Sequence, residues 1–432
     1  MGWPRYRLRT FRAFGVTMIR PLKCLTLVPL LLAACSAAPS DVVDSVSEDA
    51  LRQGTLTGRS VSSVADLPAK APVAGSQRVH LLDVGTGLSV LVQGHDFTML
   101  YDGGSNDDSR GITSTSQRSG NQSRLLAYLF ATVGPSGGPE CVPQGDAWPA
   151  GSTFPEKTID HLVLSHAHRD HISMLSDVLH CYSVKNVWEP GGVYEQAAYH
   201  AFVGAVLAEP GVTYHTAAAP PKPLPKTWLE FPVPDGFSWV QFAENDQVTL
   251  GRTARFKVLH VDPLAPASSI NDSSVVLKVS LRARTMLLMG DAEAGNREDP
   301  DASVGSVEKD LLAAHAPELD ADIFQVGHHG SSTSSRKAFI DAVFPEQTAS
   351  VTRPRFALIS AGPTPYSGQV LPDKSIVDEI TGLRPGLQLF ATDAHDQASG
   401  ASNSGQCPVK DRIGMDDDAP GGCDNFVIDV TP

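Results

Sequence analysis

The chain has no surplus of positive charge, no paired CxxC cysteines, no serine-nucleophile elbow and no short-period repeat, and each absence removes a class of function. Its 432 residues carry 34 Lys and Arg against 48 Asp and Glu, a formal charge of −14. Proteins that grip extended nucleic acid usually present a basic face, so no extended nucleic-acid surface is expected. None of the six cysteines has the CxxC spacing of a structural zinc site. No Gly-x-Ser-x-Gly elbow between a strand and a helix offers an activated serine, and the absence of a repeat argues against a solenoid. No segment approaches the length needed to cross a bilayer as a mature helix. The length suits one large α/β domain or two small ones, with an ordinary apolar fraction from which to build a core.

What is present begins with a cationic stretch, Arg5, Arg7, Arg9, Arg12, Arg20 and Lys23, leading into the apolar run Leu25 to Leu32. That is the layout of an export signal, and Met18 is an alternative start. Leu32-Ala33-Ala34-Cys35 resembles the lipobox of bacterial lipoproteins, which implies cleavage before Cys35 and acylation of its thiol. The expected organisation is a signal peptide over 1–34, a flexible tether over 35–75 and one folded domain over 76–432. The expected location is the cell envelope, on the periplasmic or outer-membrane face, with the membrane as partner through a lipid at Cys35. Loss of six basic residues and no acidic one would move the formal charge from −14 to −20. Cys24 leaves with the signal. Cys141, Cys181, Cys407 and Cys423 remain, and an oxidising compartment favours two disulfides. Of the three pairings, Cys141 with Cys181 and Cys407 with Cys423 close local loops and are preferred.

Residues 36 to about 75 are rich in Ser, Ala, Asp and Val, in the manner of a tether. Beyond them, short apolar strands are expected near 79–82, 89–91, 98–101, 162–164 and 184–188. Others are expected near 248–250, 256–259, 275–279, 285–289, 323–326 and 356–359. Helices are expected over 123–132, 174–180, 194–208, 307–314, 335–342 and 375–381. Between Asp102 and Ile159 lies a long decorated loop, and a proline-rich insertion spans Pro220 to Pro225. Strands and helices mixed in this way, with hairpins in each half, favour an α/β (α+β) sandwich of sheets covered by helices.

The strongest chemical signal is Leu162-Val163-Leu164-Ser165-His166-Ala167-His168-Arg169-Asp170-His171. An apolar strand runs straight into three imidazoles and a carboxylate on one tight loop, the donor types that zinc takes. His166 and His168 can seize one ion while Asp170 and His171 face a second. Asp291 follows an apolar strand and a glycine, which places a charged oxygen at a sheet edge.

The HxHxDH pattern resembles the metallo-β-lactamase superfamily, and further phrases are similar to its competence-protein ComEC/Rec2-like branch. These are His80-Leu81-Leu82-Asp83-Val84-Gly85-Thr86-Gly87-Leu88-Ser89, Leu100-Tyr101-Asp102-Gly103-Gly104, Asn271-Asp272-Ser273-Ser274, Leu287-Leu288-Met289-Gly290-Asp291 and Gly327-His328-His329-Gly330-Ser331. The resemblance runs from Val79 to about Val430 and implies a four-layer αββα sandwich holding two Zn2+, with Mn2+ or another divalent ion as an alternative. It implies metal ligands His166, His168, Asp170, His171, Asp291 and His328, with Asp291 bridging both ions. His328 is preferred because it comes first after its strand. His329 is the alternative ligand, or a substrate contact and catalytic group beside Asp170 and Asp291. Asp102 is expected to orient a ligand histidine. Asn271 and Ser274 are candidate substrate contacts, with turn capping as the plainer role.

Two departures from that pattern stand out. No histidine between the motif and Asp291 is placed as the third imidazole of the first ion; His180, His200, His215 and His260 are the candidates. Ser360-Ala361-Gly362 is followed by Tyr366-Ser367-Gly368 with no histidine, and His395 lies too far along to substitute. The implied function is zinc-dependent hydrolysis by a metal-activated water. The first substrate class is phosphodiesters: nucleic-acid fragments, nucleotides or phosphorylated envelope components. The alternatives are hydrolysis of a β-lactam, lactone or other ester, and a non-catalytic, metal-containing envelope binding protein.

Overall fold

Many of the described strands bury both faces, and their period-2 alternation sorts side chains between separate cores. The structure is a computed structural model and describes residues 54–61, 67–68, 71–105, 123–143, 151–346, 353–362, 369–382, 387–392 and 425–432. The signal, Cys35, Cys407, Cys423, residues 366–368 and His395 lie outside the described residues.

Two large sheets carry the fold. The first has nine strands, in the spatial order Thr55–Val61, Asn425–Thr431, Gln77–Leu81, Val90–Gly94, Thr98–Tyr101, Thr158–Val163, Ser183–Glu189, Thr213–Thr216 and Ser238–Gln241. It is antiparallel as far as Thr98–Tyr101 and parallel beyond. The second has seven, in the order Gln247–Gly251, Ala254–His260, Val276–Leu281, Arg284–Leu288, Ile323–Gln325, Arg355–Ile359 and Leu387–Ala391. Hairpins build its first half and parallel crossovers its second.

Alternation explains the layers. Val90, Val92, Met99, Tyr101 and Val163 of the first sheet meet Phe256, Val258, Met286, Leu288, Ile323 and Leu358 of the second in one core. Their neighbours Leu91, Leu100 and Leu162 point the other way, onto the helices Arg124–Thr132, Leu175–Cys181 and Ala197–Ala208. Leu287, Phe324, Ala357 and Ile359 face the helices Ser306–Leu319, Lys337–Val343 and Lys374–Gly382. Helix, sheet, sheet and helix make the expected four-layer αββα sandwich.

The tether expectation needs correction, because Thr55–Val61 is an edge strand antiparallel to Asn425–Thr431. Leu56 and Val61 are buried, and Gly58 lies so close under the Phe356 ring that a β-carbon would stand 2.5 Å from it. The polar alternation of Thr, Gly, Arg and Ser hid a strand whose inward side is filled by aromatic rings from elsewhere in the chain. Cys141 and Cys181 form a disulfide, tying the end of the Leu175–Cys181 helix to the loop at 141. Among the described residues no helix is long and apolar enough to cross a membrane.

Candidate metal centre

The site is assembled where strands of both sheets end at their carboxyl ends, the edge at which open α/β sheets commonly bind ligands. Thr158–Val163 runs into the HAHRDH loop, and Leu164 N–H donates to the Trp188 carbonyl at 2.8 Å, carrying strand pairing to the loop's threshold. Asp102, at φ 60° just past its own strand, turns a fully buried carboxylate under that loop. Its oxygens accept from Ser165 N–H and Ser165 Oγ, both at 2.6 Å, and pair with His171 Nδ1 at 2.8 Å. One carboxylate therefore grips both ends of the motif and leaves His171 Nε2 facing the centre. Gly87 lets a second loop approach: at φ +114° its missing β-carbon would stand 1.8 Å from the Asp170 carbonyl oxygen.

Asp291 comes from the second sheet. The Gln325 side-chain oxygen accepts from Met289 N–H at 2.7 Å and Gly290 N–H at 2.9 Å, and Ser274 Oγ accepts from Asp291 N–H at 3.2 Å. Ser274, expected as a substrate contact, is thus a fully buried anchor of the Asp291 backbone. Asn271 donates from Nδ2 to Glu293 Oε1 at 3.1 Å, and its own Oδ1 is buried without a hydrogen-bond partner.

Two groups of donor atoms result. His166, His168 and Asp291 form one, and Asp170, His171, Asp291 and His329 form the other. In the larger group His171 Nε2 lies 3.3 Å from His329 Nε2, 3.2 Å from Asp291 Oδ2 and 3.7 Å from Asp170 Oδ2. His329 Nε2 lies 3.2 Å from Asp170 Oδ2 and 3.4 Å from Asp291 Oδ2. Four donors at about 2.0 to 2.1 Å from one tetrahedral zinc would stand about 3.3 Å apart, so these five separations match the edges of such a polyhedron. Asp291 Oδ1 is buried with no hydrogen-bond partner, which is costly for a carboxylate unless a cation meets it. By donor chemistry and by this orphaned oxygen, the residues fit a divalent ion pair.

The expected ligand His328 is corrected by this geometry. His329, 1% exposed, carries its Nε2 into the larger group while its Nδ1 pairs with the Ser360 carbonyl at 2.8 Å. His328 stands at the rim, its Nδ1 2.7 Å from Thr333 Oγ1 and 3.0 Å from Glu293 Oε1, and its Nε2 3.8 Å from Asp291 Oδ2. Both residues adopt left-handed backbone, at φ 49° and 55°, so the chain turns between them and order after the strand does not decide which one points inward.

The electrostatics follow from burial and crowding. Burial, aided by the neighbouring imidazole of His171, holds His166 well below the usual imidazole range, and burial also lowers His168; both favour the neutral, metal-ligating form. Burial opposes charge on His171 and His329 too, but the surrounding carboxylates outweigh it. Asp291, Asp102 and Asp170 lift His171 well above its ordinary value, and Asp291 and Asp170 raise His329 to about 10. Asp170 and Asp291 are held well below the usual carboxylate range because His171 and His329 overcome the cost of their burial. The centre is an anionic pocket that demands positive charge.

None of the four candidates for a third imidazole on the first group reaches it. His180 pairs with Glu140, His200 with Glu230, His215 stacks on Trp188 at 3.6 Å, and His260 pairs with the Asp272 carbonyl and Glu244. The sequence reading gives no role to Ser165, Glu293, Thr333 or Ser360. Ser165 sits inside the motif and its hydroxyl was a usable cue, whereas Ser360 acts through a backbone carbonyl that no side-chain pattern announces.

The family model of the metallo-beta-lactamase superfamily matches residues 82–352. ComE operon protein 3 of Bacillus subtilis is 26% identical over 206 residues, covering 48% of this chain and 20% of that protein. Recombination protein 2 of Haemophilus influenzae is 31% identical over 118 residues, covering 26% of this chain and 12% of that protein. The chain thus matches a fifth or less of the length of these curated relatives. The metallo-beta-lactamase fold protein YhfI from Bacillus subtilis aligns with a TM-score of 0.36 at 12% identity, covering 73% of this chain and 96% of that one.

Proposed function

Since the chain belongs to the metallo-beta-lactamase superfamily, we propose that it is a metal-dependent hydrolase acting on phosphodiester bonds, with zinc, or manganese in its place, at the two donor groups. The observation that carries the reading is the set of near-tetrahedral separations among Asp170, His171, Asp291 and His329, beside the second group formed by His166, His168 and Asp291. When bound, a divalent ion pair supplies Lewis acidity to a phosphoryl or acyl oxygen and lowers the pKa of a water. The protein's part is orientation. Asp102 fixes His171, the Ser360 carbonyl fixes His329, and Gln325 with Ser274 fixes the turn that presents Asp291.

Phosphodiesters are favoured by the likeness to a protein named for recombination. The acidic balance of the chain points to short or small substrates rather than long polymers. Export and anchoring through Cys35 belong to the same proposal, and the Cys141–Cys181 disulfide suits an oxidising compartment. A metal-loaded sample assayed with bis-p-nitrophenyl phosphate, a short DNA strand and nitrocefin tests it. Turnover of the phosphodiesters is expected. Turnover of nitrocefin alone would replace this reading with lactam hydrolysis, and silence on all three with metal bound would replace it with a binding role.

A further inference from the structure

We infer that the two ions are held unequally: Asp170, His171, Asp291 and His329 close around a tightly bound ion, while His166, His168 and Asp291 hold a weaker, exchangeable one with a position open to substrate. The inference rests on the metal centre proposed above and goes beyond it by assigning each group a separate part. Two observations agree.

The first is donor count. The larger group offers four protein atoms and the smaller three, and among the described residues no further histidine, cysteine or carboxylate joins the smaller. Zinc sites with four protein donors are closed and structural, whereas those with three leave a coordination position for water or substrate.

The second is support behind the ligands. Both imidazoles of the larger group have the distal nitrogen on a strong acceptor, His171 on the Asp102 carboxylate and His329 on the Ser360 carbonyl, each at 2.8 Å. In the smaller group His166 Nδ1 meets only the Ser165 hydroxyl, at 3.0 Å, and that hydroxyl already donates to Asp102. His168 Nδ1 lies 2.9 Å from its fellow donor His166 Nε2, and among the described residues no acceptor meets its other nitrogen. Outer partners of this kind are worth on the order of 10 to 100-fold in metal affinity.

Titrating metal-free full-length protein with Co2+, followed by visible absorption, and with Zn2+, followed by calorimetry, tests the assignment. Two resolved events are expected, the first complete at one equivalent with the intense bands of four-coordinate cobalt. The second should need on the order of tenfold or more higher free metal. His168→Ala should abolish the second event and keep the first, and Asp170→Asn should weaken the first, with circular dichroism showing that both variants fold. Two events of equal affinity, or loss of the first event in His168→Ala, would overturn the inequality and leave the hydrolase reading standing. Absence of any binding would overturn both.

Discussion

His328 and His329 are adjacent and chemically identical, yet one faces the centre and the other its rim because both backbones are left-handed. Such conformations cost on the order of 1 to 3 kcal/mol and persist where the surroundings impose them; here the Ser360 carbonyl, Glu293 and Thr333 do so. His329→Ala is expected to lower turnover and metal affinity by about 100-fold or more, while His328→Ala keeps its metal; elemental analysis and titration of the two variants check the division. The spacing of His166, His168, Asp170 and His171 was legible because side-chain type and interval carry it. The choice between His328 and His329 was not, because it turns on the sign of a dihedral angle. His80 makes a separate prediction. It is enclosed by Tyr128 Oη at 2.9 Å and Gln93 Oε1 at 3.0 Å, and burial lowers its pKa to about 3. Its folded value lies below the unfolded value near 6.5, so between those limits the unfolded chain binds a proton that the folded chain refuses. The stability it contributes is complete above about pH 6.5 and is lost as pH falls toward 3, by on the order of 4 kcal/mol. His80→Gln should lower Tm at neutral pH but flatten the decline of Tm with acid over that window; a parallel curve would show that His80 does not set the slope.

The strands most visible in the sequence, such as Arg284–Leu288 and Arg355–Ile359, are those with an apolar core on both faces. Those missed lie toward sheet edges, Thr55–Val61, Thr213–Thr216, Ser238–Gln241 and Leu387–Ala391, where Thr, Ser and Gln occupy outward positions. Asn425–Thr431 escaped for another reason: it follows a long stretch of polar sequence, and its place in the sheet depends on partners more than 340 residues away. Arg59 at 2.6 Å and Arg78 at 2.7 Å converge on Asp429, bracing that strand from both sides. Removing residues up to 75, the limit of the expected tether, would delete the edge strand and expose the ladder of Asn425–Thr431. Such a truncation should melt at lower temperature and associate in solution, as light scattering would reveal. Gly58→Val is the gentler test, since its side chain would run into the Phe356 and Phe390 rings. Overpacking of this kind costs typically about 1 to 3 kcal/mol, readable as a shift in the urea midpoint; an unchanged midpoint would mean that the strand does not lie against those rings.

For the molecule as a whole, the sandwich was legible from runs of apolar residues punctuated by glycine and from the order of its motifs. What could not be read was how far the two sheets extend and which loops meet. The centre draws on the first sheet for His166, His168, Asp170 and His171 and on the second for Asp291 and His329, so it exists only when both sheets are packed face to face. Asp291 belongs to both donor groups and its Oδ1 has no other partner, which makes it the point through which the two halves share charge. The most direct measurement is therefore the metal content of the purified chain and of Asp291→Asn after loading with zinc and removal of excess. The account predicts one tightly held ion per chain in the first, approaching two when free zinc is kept in the buffer, and a loss of both to weaker binding in the second, with the variant still folded. Fewer than one ion in the unaltered chain, or an Asp291→Asn variant that holds metal as tightly, would contradict it.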